Sequence, residues 1–116
     1  MAQVQELQDR SDFDALLEAS KQQPVALLKH SIACPISARG QREFVGLEGP
    51  DDPPLYVIVV QYARDLSNHI AETLGVRHET PQAILIKDGE AVYDASHRAI
   101  STDALRDAAA QIRAEA

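Results

Sequence analysis

One cysteine stands in the 116 residues, in the run Lys29-His-Ser-Ile-Ala-Cys34-Pro-Ile-Ser37. A thiol attacks sulfur only as the thiolate, and at an ordinary pKa of ~8.5 only ~3 % is ionised at pH 7. The neighbours of Cys34 favour ionisation. Val25-Ala-Leu-Leu-Lys-His30 reads as a short buried strand. Pro35 suits the first turn of a helix, where a missing N–H is harmless. Cys34 therefore falls between a strand end and a helix N-terminus, facing free N–H groups and the positive end of the helix dipole. Lowering a thiol pKa to ~6 makes it ~90 % thiolate and takes about 3.4 kcal/mol. A helix terminus supplies roughly 0.3–2 kcal/mol of that. Hydrogen bonds must supply the rest, and Ser37, one turn along the helix, is the side-chain candidate beside the first-turn backbone N–H groups. His30 ends the strand just before the turn and is a candidate to tune the thiol or carry its proton. The alternative for His30 is a ring that packs at the sheet edge. Free cysteine is often a small buried hydrophobe; the strand-to-helix position and the following proline set Cys34 apart.

A lone cysteine excludes an intramolecular disulfide, so any redox chemistry uses a sulfur from outside the chain. It also leaves no close-spaced ligand set for zinc, and no metal is expected. A Cys–His protease would need an oxyanion loop and an orienting Asn or Asp, and neither is evident. Arg39 and Arg42, within about two helical turns of Cys34, are candidates to attract an anionic ligand, against the ordinary alternative of a solvated helix face. His69, His78 and His97 read as ordinary surface or partly buried residues.

These residues need elements to position them. A first helix is expected from about Asp12 to Lys21, with Ser11 as N-cap, Asp14 in the capping-box position, and Phe13, Leu16, Leu17 and Ser20 on one face. The strand through His30 follows Pro24. The helix after Cys34 carries Ile36, Gly40, Phe44 and Leu47 on one face, and Gly40 on the inner side implies close packing against the sheet. Glu48 to Pro54 is a loop by composition, and Leu55 to Gln61 is a β-branched strand. A third helix from about Asp65 places Leu66, Ile70 and Leu74 together and stops at Gly75. Pro81 to Lys87 and Glu90 to Tyr93 flank Asp88-Gly89, a strong hairpin signal. Thr102 to Ala114 closes the chain as a helix capped by Ser101. The first two strands, joined by a helix, are expected to be parallel and the last two antiparallel. The expected fold is α/β, a four-stranded mixed sheet with helices on both faces, in one domain over residues 1–116.

The hydrophobic share of 45 % is that of a globular chain, and a net charge of −7 argues against nucleic acid as partner. The longest apolar runs are too short to span a bilayer, and the N-terminus carries no basic-then-apolar secretory pattern. A cytoplasmic protein, a monomer or weak dimer with no membrane association, is expected.

The segment Lys29 to Ser37, with Arg42 and Phe44 downstream, resembles the active-site segment of the monothiol bacilliredoxins, thioredoxin-like redox proteins of the bacillithiol system. Thr80-Pro-Gln-Ala-Ile-Leu-Ile-Lys-Asp-Gly-Glu90 resembles the thioredoxin-fold segment that opens with a cis-proline and runs into the final hairpin. The resemblance covers nearly the whole chain. It implies a thioredoxin-like fold and a thiol–disulfide oxidoreductase with Cys34 as nucleophile. In that role Cys34 takes bacillithiol from a mixed disulfide on a protein, and a second thiol resets it. Bacillithiol is then a co-substrate, with no tightly bound cofactor, and the partners are S-bacillithiolated proteins. Arg39 and Arg42 would meet bacillithiol carboxylates. Pro81 would be cis, with the Thr80 backbone pairing with the bound partner. Ser37 stands where a thioredoxin has its second cysteine, and Ala33 where the aromatic before the first is usual. The first departure suits one mixed disulfide at a time rather than dithiol reduction. Two other readings stand beside this: a thioredoxin-like adaptor that docks a partner without catalysis, and a redox sensor whose Cys34 is merely S-thiolated.

Overall fold

A computed structural model describes residues 4–33 and 35–115. The β-branched and aliphatic runs form the sheet, and amphipathic segments between them form the helices. In chain order these are β1 (Val4–Glu6), α1 (Arg10–Ala19), β2 (Val25–His30), α2 (Pro35–Val45), β3 (Leu55–Val59), α3 (Arg64–Leu74), β4 (Gln82–Lys87), β5 (Glu90–Ser96) and α4 (Thr102–Ala114), with a 3₁₀ turn at His97–Ala99. The sheet order is β1-β3-β2-β4-β5; β2 pairs parallel with β3 and antiparallel with β4.

The sheet has five strands rather than the expected four. The extra one, β1, pairs parallel with β3 in the register Val4↔Leu55 to Glu6↔Val57. It is three residues of Val-Gln-Glu, with Gln5 and Glu6 exposed, so it carries no apolar run. Backbone pairing and the burial of Leu7, whose N–H reaches Val57 O at 2.8 Å, hold it.

Helix α1 starts earlier than expected and is capped by Asp9, not Ser11. The Asp9 carboxylate accepts the Asp12 N–H at 3.0 Å and the Ser11 hydroxyl at 2.7 Å, and Asp12, not Asp14, closes the box on the Asp9 N–H. A carboxylate is the stronger acceptor, so Ser11 becomes a donor to the cap instead of the cap. At the other end Ser20 grips the hairpin: the Asp88 N–H reaches Ser20 O at 2.8 Å and the Gly89 N–H reaches Ser20 Oγ at 2.9 Å. Asp88 and Gly89 have φ of 54° and 75°, the two left-handed residues of a type I′ turn.

Side chains alternate across β2. Val25 and Leu27 join Phe13, Leu16, Leu66 and Ile70 in a core under α1 and α3. Ala26 and Leu28 join Phe44, Leu47, Leu105 and Ala109 in a second core under α2 and α4. The same alternation sends Lys29 to the α3 side and His30 to the α2 side, which determines what each can do. No helix of the described residues is long and apolar enough to cross a membrane.

Candidate active site

The site is built where β2 and β3 end and α2 begins. Cys34 itself lies outside the described residues; its neighbours in sequence, Ala33 and Pro35, are both exposed. Pro35 is the first residue of α2, as expected from its fixed φ.

The loop leading to Cys34 is held by side chains from two other elements. The Ser31 N–H donates to Ser37 Oγ at 2.8 Å, and the Ile32 N–H to Gln61 Oε1 at 3.3 Å. Gln61 Nε2 donates to Ser31 Oγ at 2.7 Å, and that oxygen also takes the Ala33 N–H at 3.4 Å. Each backbone donor from Ser31 to Ala33 thus has a side-chain acceptor. Ile32, in the loop, is left 57 % exposed, and Tyr62, which follows the clamping Gln61, is 73 % exposed. The sequence predicts Gln61 as the last residue of a strand; β3 instead ends at Val59, which frees Gln61 to clamp the loop. Its only sequence signal is a polar residue closing an apolar run.

Ser37 is fully buried. Besides the Ser31 N–H it bonds His30 Nδ1 at 2.9 Å. The expected contact of Ser37 with Cys34 lies outside the described residues; what is seen is that its hydroxyl ties the end of β2 to the first turn of α2. Burial lowers the His30 pKa below the usual histidine value, against a smaller opposing effect of Ser37, so the ring is neutral at pH 7. Ser37→Ala is expected to cost about 2 kcal/mol, because the Ser31 N–H and the buried His30 nitrogen lose their partner. A urea midpoint shift at unchanged m-value, with faster exchange of the Ser31 amide, checks this.

On the other flank the Thr80–Pro81 peptide bond is cis, the isomer that the family resemblance implies. Pro81 is buried against α2, and the His97 N–H donates to Pro81 O at 2.9 Å. Gly40 makes this contact possible. A Cβ there would lie 3.2 Å from Pro81 Cβ and 3.3 Å from Ile100 Cδ1. Gly40 therefore packs on the proline corner, which refines the expected approach to the sheet. Gly40→Val should lose about 2–3 kcal/mol by overpacking, despite valine's better helix propensity, and displace the Thr80–Pro81 corner. Thermal denaturation together with shifts of the Thr80 and Gln82 amide signals would show both.

Arg39 is half-buried, with Nη1 on Ile100 O at 3.3 Å. Arg42 is exposed in the last turn of α2, away from the helix start where Ser37, Ser31 and His30 meet.

A second polar cluster lies on the opposite face. Lys29 is fully buried, and its Nζ is 3.3 Å from Ser67 O and 3.2 Å from His78 Nδ1. Ser67 Oγ is 3.3 Å from the same nitrogen. Burial lowers the Lys29 pKa to about 8, and burial, then the lysine charge, lowers that of His78. Next to it Gln82, the register partner of Lys29, donates from Nε2 to Arg77 O at 3.0 Å. In sequence Lys29 is one residue of a buried strand and His78 an ordinary histidine forty-nine positions away, and no local pattern links the two.

The fold is shared with known proteins. The chain superposes on a protein with a thioredoxin fold at TM-score 0.82 and 36 % identity, covering 90 % of this chain and 92 % of that one. It is similar in fold to a poplar thioredoxin h variant (TM-score 0.78, 17 % identity, 99 % and 86 % covered). The same holds for a thioredoxin variant from Halobacterium salinarum (TM-score 0.73, 21 % identity, 94 % and 89 % covered). The family model of the monothiol bacilliredoxin BrxC matches residues 5–105, from β1 into α4. With the Cys34 loop, the Thr80–Pro81 corner and all of the sheet but its first residue inside that match, the chain belongs to the monothiol bacilliredoxin family.

Proposed function

We propose that this chain removes bacillithiol from mixed disulfides on protein cysteines through Cys34. The Cys34 thiolate attacks the bacillithiol sulfur of a protein–S–S–bacillithiol disulfide. A Cys34–S–S–bacillithiol bond forms, the old disulfide breaks, and the protein leaves as a thiolate that takes a proton. The thiolate of a second thiol then attacks the bacillithiol sulfur held on Cys34. This frees the Cys34 thiolate and carries bacillithiol away in a new disulfide. Each step is an exchange, with no net oxidation within it.

The observation that carries this reading is the family match across the segment that holds the one cysteine. The loop geometry supports it: residues 31–33 are clamped by Ser37 and Gln61, so the approach to Cys34 is preorganised. Ser37 in place of a second cysteine leaves no resolving thiol within the chain. The Thr80 backbone, ahead of the cis Pro81, is the docking edge for the partner. Arg39 offers charge to bacillithiol carboxylates, with one nitrogen already on Ile100 O; Arg42, exposed in the last turn of α2, stands away from the loop and is a solvated face. The partners are S-bacillithiolated proteins, the co-substrate is bacillithiol, and the setting is the reducing cytoplasm.

The test is transfer. A bacillithiolated protein is mixed with the reduced chain, and both are followed by intact mass. The expected result is loss of the adduct from the substrate with its appearance on Cys34. A Cys34 alkylation rate with a midpoint at or above ~8.5 and no transfer would favour the adaptor reading instead.

A further inference from the structure

We propose that the cavity bounded by Arg64, Ser67, Asn68 and His78 is a binding site for a small free oxyanion, with the buried Lys29 ammonium as its fixed counter-charge.

The argument starts from an imbalance of charge. Lys29 is fully buried, yet among the described residues no carboxylate forms an ion pair with it. Its two partners are a carbonyl and a neutral ring nitrogen. A buried ammonium without an opposite charge is costly, and burial alone lowers its pKa, yet at about 8 it still holds its proton at neutral pH.

Both partners of Lys29 line a cavity of about 170 Å³, several times the volume of a water molecule. Apart from Val60, the side chains around it are polar and can donate. His78 Nδ1 faces the Lys29 ammonium and the Ser67 hydroxyl, so the ring proton belongs on Nε2, where it can be given. The exposed Arg64 guanidinium and Asn68 amide supply further N–H groups. No acidic residue lines the cavity. Glu79, next to His78 in sequence, lies 3.6 Å from His97 Nε2, and its charge also acts on His78, opposing the larger effects of burial and Lys29. A phosphate or small carboxylate would accept from these donors and neutralise the charge behind them. The position adjoins the loop that runs on to Thr80, but the proposal does not depend on thiol exchange.

Inorganic phosphate and succinate, titrated separately into the full chain, test this through the ring signals of His78 and the melting temperature. A saturable shift with at least one of them and a matching rise in Tm are expected. Arg64→Gln should weaken that binding about tenfold, the loss of one charge-assisted hydrogen bond. Lys29→Met should abolish it, and Cys34→Ser should bind as the wild type does, which separates this site from the exchange chemistry. Which of the two anions binds tells phosphate from carboxylate as the natural chemistry. His78 signals that move with neither anion, or move equally in Arg64→Gln, would overturn the proposal.

Discussion

With Cys34 replaced by serine, the chain is expected to fold and to move no bacillithiol. The chain holds one cysteine and one methionine, and a thioether cannot exchange with a disulfide. A serine hydroxyl is not ionised at neutral pH and forms no S–S bond, so the rate should fall by at least ~10³-fold, to the background of free thiols. Intact mass is the direct readout, because the wild type acquires the bacillithiol adduct and Cys34→Ser does not. Transfer that persisted in Cys34→Ser would mean that the reagent thiol alone resolves the disulfide. The loop clamp should survive the substitution, since Ser31, Ile32, Ser37 and Gln61 make it without Cys34. Unchanged shifts of the Ser31 and Ile32 amides would confirm that chemistry, not folding, was lost.

A second large effect is expected in the alkaline range, where this protein should gain stability. The unfolded chain keeps the Lys29 proton up to ~10.4. The folded chain holds the amine in the core under α3 and releases its proton near 8. Between those values the unfolded state binds more protons than the folded state, so stability rises with pH. The full shift corresponds to about 3 kcal/mol, with part of it reached by pH 10. Tyr56, whose pKa burial raises, acts in the opposite sense only above ~10. Lys29→Met removes the titrating group while keeping most of its volume. Urea unfolding of both proteins at pH 7, 8.5 and 10 should therefore show a difference that grows by about 2–3 kcal/mol across the series. A flat difference would place the Lys29 pKa near its ordinary value and its ammonium in contact with water.

The two clusters differ in how far the sequence revealed them. Cys34 before Pro35, after six apolar-rich residues ending in His30, is a local pattern, and so is Asp88-Gly89 between two strands. Short-range rules read such patterns because strand period, proline φ and turn chemistry act over a few residues. The positions of α3 and α4, the parallel and antiparallel pairings, the Ser101 cap and the Gly75 stop follow from the same rules. Strand β1 escaped them because its partner is the edge of β3, some fifty positions away, and its own residues are polar. The α1 cap was misplaced by two residues because Asp9 and Ser11 both qualify by type, and only the hydrogen-bond geometry ranks them.

The amino-acid order alone thus determined the class of fold, the one residue able to do sulfur chemistry, and the absence of an internal resolving thiol. Those depend on residue type, count and local spacing. Folding decided the rest: that Gln61 clamps the Cys34 loop, that Gly40 admits the Pro81 corner, and that Lys29 meets His78 across forty-nine positions of chain. Each of these is a contact between elements distant in sequence. Its existence depends on strand order and on which face of β2 each side chain points to, and no local rule carries that information.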